Sequence, residues 1–198
     1  LKLFVSSPGD VLAERERVER VVGVINGDYL GLLEIEVIRW ETRFYSAHLS
    51  FQPQIIEATD CDLVIGILRS RLGTPLPPGS PLRANGVGYE SGTVYELETA
   101  IDAQSTHESP QVYVFRSSAP ARFDADQLLE QQQQLAALEA FWQRTFVDTH
   151  GHFLRAFQSY ADAPDFETKL ESCVRQWLTK QGHLLDQPLW NVAVSGSP

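Results

Sequence analysis

The chain has 198 residues, 43% of them hydrophobic, and a formal net charge of -10, with 16 Lys and Arg against 26 Asp and Glu. That size and apolar content suffice for one full-sized core. The acidic balance argues against nucleic acid or an anionic membrane as the main partner, since an acidic surface repels phosphate.

In chain order, Lys2 to Val5 form the first apolar run, followed at once by Ser6, Ser7, Pro8, Gly9 and Asp10. Small and hydroxyl-bearing residues between a buried strand and a helix start leave backbone N–H groups free for a polar ligand. Val18, Val21, Val22 and Ile25 then recur at helical spacing, predicting a helix that begins near Asp10 as its cap. In this helix Arg15, Arg17 and Arg20 alternate with Glu14, Glu16 and Glu19, the pattern of a solvated face. Glu34 to Arg39 is the second expected strand. A short helix is expected from Pro53 to Thr59, with Ile55 and Ile56 inward. The third strand, Asp62 to Leu68, is a continuous apolar run suited to the centre of a parallel sheet.

A long Gly/Pro-rich segment follows, too long for an ordinary connection, and is expected to be functional, covering a site. A helix over Thr93 to Ala103 carries Val94, Leu97 and Ile101 on one stripe. Gln111 to Phe115 is the fourth strand. Leu128, Leu135, Leu138 and Trp142 mark another helix, with Gln131 to Gln134 on its outward face, and a fifth strand is placed near His152 to Phe157. Phe166, Leu170, Cys173, Val174 and Trp177 define the last helix, opened by Pro164 or Asp165.

Strands alternating with helices predict an α/β fold, a flavodoxin-like three-layer sandwich around a five-stranded parallel sheet of order 2-1-3-4-5. The domain is expected to span residues 1–182. Residues 183–198 read as a linker toward a further C-terminal region, and the chain, which starts inside a strand and has no methionine, reads as a fragment of a longer protein. No signal-peptide pattern or bilayer-length apolar run is present, so a cytoplasmic location is expected. Cys61 and Cys173 lack ligand spacing and are expected as core thiols; the five histidines lack it too, so no metal is expected.

Loops after strands 1, 2 and 3 meet at one carboxyl edge in this topology. They bring together Ser6 to Asp10, the segment WETRFYS from Trp40 to Ser46, and Arg69 to Thr74 with YESGTVYE from Tyr89 to Glu96. A carboxylate, aromatic faces and several donors at one edge suit a nucleotide-sized ligand. Neither GxGxxG nor GxxxxGK[ST] occurs, so a Rossmann dehydrogenase or a P-loop NTPase is not supported.

SSPGD after the first strand, CDLVIGIL as the third and YESGTVYELETAI after the long loop resemble the TIR-like (Toll/interleukin-1 receptor) superfamily. More narrowly, they resemble bacterial TIR-like modules set before STAND-type NTPase domains in defence and signalling proteins. The resemblance implies binding and hydrolysis of NAD at the nicotinamide–ribose bond on assembly, with Glu96 as the catalytic residue and no permanently bound cofactor. Ser6, Ser7, Pro8 and Asp10 would line the nucleotide loop, Trp40 or Tyr45 would stack on a ring, and Arg71, Tyr89 and Ser91 would complete the substrate contacts. The implied partners are further copies of the domain, an NAD-type nucleotide and a C-terminal NTPase or sensor region, with no nucleic acid or membrane. The chain departs from the common pattern in carrying Pro8 and Gly9 in the first loop and in lacking a Trp-Cys pair beside Glu96.

Other readings of the same residues stand beside these. Thr93 and Glu96 fit a T-x-x-E capping box, Ser6 and Ser7 fit strand termination and helix capping, and Trp40 fits core packing. Glu98 reads as a solvated helix position. A non-catalytic self-association module and a nucleoside-processing transferase of related topology are the alternative functions.

Overall fold

Alternation along the strands sends successive side chains to opposite faces, and both faces are buried. In the computed structural model, which describes residues 1–39 and 57–182, the chain runs β1 (Lys2–Ser6), α1 (Leu12–Asp28), β2 (Glu36–Ile38), β3 (Leu63–Leu68), α2 (Gly92–His107), β4 (Gln111–Ser117), α3 (Leu128–Phe146), β5 (Gln158–Tyr160) and α4 (Ala163–Lys180). All strand pairs are parallel, in the order β2-β1-β3-β4-β5. The flavodoxin-like three-layer sandwich is therefore the observed architecture. Every residue of β3 is buried, as its unbroken apolar run requires for a strand covered by helices on both sides.

One core joins Leu3, Val5, Leu63, Ile65 and Ile67 to Val18, Val22 and Ile25 of α1 and Phe166, Leu170, Val174 and Trp177 of α4. The other joins Phe4, Val64 and Leu68 to Val94 and Leu97 of α2 and Leu138, Phe141, Trp142 and Phe146 of α3. The inward stripes read from the sequence are thus the ones the helices use, except that Leu128 at the start of α3 is 44% exposed. Cys61 is buried and Cys173 partly so; burial pushes the Cys173 thiol up to about 12.

Gly66, opposite Ser6 in the β1–β3 register, packs tightly against Leu97 of α2. A Cβ there would lie 2.7 Å from Leu97 Cδ2 and 3.3 Å from Val114 Cγ2. Gly66→Ala is therefore expected to destabilise the fold by about 1–3 kcal/mol through overpacking, read as a lower urea midpoint at unchanged slope.

Four local expectations are corrected. Helix α1 is preceded by Val11 at its cap, not Asp10, because the Asp10 carboxylate instead accepts from Ser70 N and Ser70 Oγ at 3.0 and 2.7 Å. The fifth strand lies at Gln158–Tyr160, beyond His152 to Phe157. That aromatic stretch belongs to packing, with Phe157 edge-on to Trp142 and Phe146. Ala58–Asp60 is a single 3₁₀ turn, while the rest of the expected short helix up to residue 56 lies outside the described residues. Glu14 and Arg15 are 3% and 6% exposed, not a solvated face. The expected linker from residue 183 also lies outside the described residues. No helix among the described residues is long and apolar enough to cross a membrane.

Candidate functional site

Strand β1 ends at Ser6, fully buried, and its hydroxyl has to find an acceptor in the protein. It donates to Glu96 Oε2 at 2.7 Å, a bond between the end of β1 and the second turn of α2. This placement excludes the capping-box reading of Glu96. Helix α2 is capped by Ser91, whose Oγ accepts from Val94 N at 3.2 Å and donates to Leu72 O at 2.7 Å. Thr93 lies inside the helix.

Beyond Ser6 the chain turns sharply, and Arg15 determines how. Its guanidinium donates from Nε to Ser7 Oγ and from Nη2 to the Ser7 and Pro8 carbonyls, each at 2.8 Å. The first loop is therefore folded back onto α1 by a buried cation. A Cβ at Gly9 would meet nothing within 4 Å, so the loop's tip faces open space.

That space is a cavity of about 420 Å³, within the range of small-molecule sites. Its inner wall is Phe4, Ser7, Pro8, Gly9 and Arg15 from β1, the first loop and α1. One side is Glu57 and Ala58, the floor is Gly92, Thr93, Tyr95, Glu96 and Thr99 of α2, and the outer wall is the proline-rich strap from Gly73 to Pro81. The long loop thus covers the cavity, as its composition suggested. Among the described residues the charged lining groups are Arg15, Glu57 and Glu96. Tyr95 OH lies 3.4 Å from Glu57 Oε1; burial, and then the Glu57 charge, push its phenol above the ordinary range.

Of the residues singled out in the sequence, Ser7, Pro8 and Glu96 line this cavity, and Ser6 supports Glu96 from behind. Four others do not line it, each being held elsewhere. Asp10 is taken by Ser70, and Arg71 pairs with Glu130 at 2.9 Å. Tyr89 packs edge-on to Tyr95, with the Arg83 guanidinium 4.5 Å from its ring centroid, and Ser91 is the buried cap of α2. Trp40 and Tyr45 lie outside the described residues.

Arg15, Glu57 and Thr99 were missed, while Tyr95 lies in the segment Tyr89 to Glu96 that the sequence singled out. Arg15 carried a usable signal, because it continues the stripe of Val18, Val22 and Ile25 back by one turn and so had to point inward. Glu98, expected as solvated, joins Glu90 in a network with Arg83 and Arg144. This network holds Glu90 below the usual carboxylate range against the opposing effect of burial.

A second cavity, of about 370 Å³, opens beside α2 and β4 and is lined by Gln104, Tyr113, Arg155 and Gln158 among others, with no carboxylate among the described residues. It lies by the amino-terminal part of β4, away from the edge where open parallel sheets bind ligands. Among the described residues no group of three or more His, Cys, Asp or Glu side chains is placed to hold a metal ion.

The fold and this site define a class, an open α/β sandwich with Glu96 and Glu57 in a proline-walled cavity at the carboxyl edge. No family model, curated protein or solved structure matches the chain significantly.

Proposed function

We propose that the chain is a TIR-like effector domain that binds an NAD-type nucleotide in the 420 Å³ cavity and hydrolyses it at the nicotinamide–ribose bond. The observation that carries the reading is the Ser6 hydroxyl held against Glu96 Oε2 at 2.7 Å in the floor of that cavity. A hydroxyl that donates to one oxygen of a carboxylate helps to orient the group, and Glu96 so held lines the cavity.

The chemistry asks for little more. The bond between the ribose anomeric carbon and the pyridinium nitrogen breaks, and its electron pair stays on nitrogen. Nicotinamide departs neutral, so no general acid has to protonate it. Positive charge grows on the ribosyl ring as an oxocarbenium-like species, which a carboxylate in a low-dielectric wall stabilises as it forms. Water then adds to the anomeric carbon and gives up a proton, with Glu96 as its acceptor. The apolar strap and Pro8 keep bulk water from weakening that electrostatic contact.

In this proposal the domain works in the cytoplasm, with NAD as substrate and with no permanently bound cofactor. Self-association, driven by a C-terminal NTPase or sensor region, brings it into action. The test is nicotinamide release from NAD by the chain held at high local density on a multivalent support. Release that disappears in Glu96→Gln supports hydrolysis. No release under clustering, with self-association intact, favours the non-catalytic interaction module.

A further inference from the structure

We infer that Gln134 of α3 is a positioning residue for the cavity, fixing the inner hinge of the strap 74–82 and so the strap's seat over the ligand space. The inference rests on the proposed nucleotide site for what the strap covers, but not for how the strap is held.

The strap reads Thr-Pro-Leu-Pro-Pro-Gly-Ser-Pro-Leu from Thr74 to Leu82. Its prolines have no backbone N–H to donate, so half of residues 74–81 cannot be anchored that way. Ser80 N and Oγ bond to Pro77 O at 3.2 and 2.7 Å, a turn internal to the strap. Its seat is therefore set chiefly at its two ends.

At the inner end, Leu72 N and Gly73 N both donate to Gln134 Oε1, at 3.0 and 3.2 Å, and Gln134 Nε2 donates back to Gly73 O at 3.2 Å. The side-chain amide pairs with the backbone as a neighbouring strand would. Leu72 O is held from the other side by Ser91 Oγ. Gly73 has φ +110, and a Cβ there would lie 3.1 Å from Thr93 Oγ1, so the chain can turn at this point only as glycine and close against α2.

At the outer end, Arg83 is bound to Glu90 and Glu98, the carboxylates that Arg144 of α3 also engages. Both hinges thus lead to one helix, and α3 governs the outer wall of a cavity it does not itself line. Within the glutamine run the neighbours show the contrast: Gln132 and Gln133 are exposed, and Gln131 bonds to Asp124 and Gln127. The sequence suggested a uniformly outward run; instead its last member, Gln134, reaches the inner hinge of the strap at Leu72 and Gly73.

The test compares Gln134→Ala, Gln134→Glu and, as a control, Gln133→Ala by amide hydrogen exchange and by NAD turnover on the clustered chain. In Gln134→Ala, exchange at Leu72 and Gly73, whose N–H groups Gln134 accepts, and at Ser80 within the strap is expected to quicken about tenfold, and the KM for NAD to rise by about the same factor with kcat kept. Gln134→Glu keeps the acceptor for both N–H groups and loses the donor, so it falls between. Gln133→Ala matches the unaltered chain. Unchanged exchange at Leu72, Gly73 and Ser80 in Gln134→Ala overturns the inference, as does faster exchange spread through β3 and α2, or faster exchange at those amides with unchanged KM. If the unaltered clustered chain releases no nicotinamide, the nucleotide reading fails by itself, and strap exchange still decides whether Gln134 is the hinge.

Discussion

Glu96→Gln is expected to lower nicotinamide release by about a thousandfold while leaving the melting temperature nearly unchanged. Glutamine has the same shape and can still accept the Ser6 hydroxyl, whose bond to Glu96 Oε2 spans β1 and α2 at 2.7 Å. What it lacks is the charge that, in the proposed reaction, meets the developing ribosyl cation. Helix α2 loses no cap in this variant, because Ser91 supplies the cap through Val94 N. Turnover at fixed clustering, measured beside thermal unfolding of the same preparations, separates the two effects. A variant that unfolds early but still releases nicotinamide in proportion to its folded fraction removes Glu96 from the chemistry.

Arg15→Met is expected to be the most damaging single change to the fold near the site, costing about 2–4 kcal/mol. Methionine fills much of the volume but cannot replace the three hydrogen bonds to Ser7 Oγ, Ser7 O and Pro8 O. Those carbonyls would be left in a region where Arg15 itself is only 6% exposed. For a chain of this size the melting temperature should fall by roughly 4–16 °C. Nucleotide affinity should fall with it, since the same loop forms the cavity's inner wall. Thermal unfolding with and without NAD measures both. Arg15→Lys should recover little, because an ammonium cannot reproduce the planar fork that reaches two carbonyls and a hydroxyl.

Much of the fold was legible because period and burial agree. The continuous run of β3 had to be central, and the stripes of α1, α2 and α4 had to face the sheet. The fifth strand was misplaced because His152 to Phe157 is rich in aromatics that pack on Trp142 and Phe146, whereas Gln158 and Ser159 of β5 are exposed and carry no apolar signal. The same limit shaped the reading of the site. Ser7, Pro8 and Glu96 were found because they follow strands and open helices at the carboxyl edge. Asp10, Arg71, Tyr89 and Ser91 sit in the same segments, but partners distant in sequence hold them. Arg15 was hidden by the alternation of Arg and Glu around it, which imitates a solvated face. Gln134 was hidden because a glutamine tract announces composition and not direction.

The central claim is that the ligand enters between the first loop and the strap, above Glu96. The measurement that tests it most directly is hydrogen exchange of the Glu96→Gln chain titrated with NAD, since this variant should bind without consuming its ligand. The account predicts slowed exchange at Ser7, Gly9 and Thr74 to Leu82, with the second cavity around Gln104 and Arg155 unaffected. Protection confined to that second cavity, or none anywhere at saturating NAD, would contradict it.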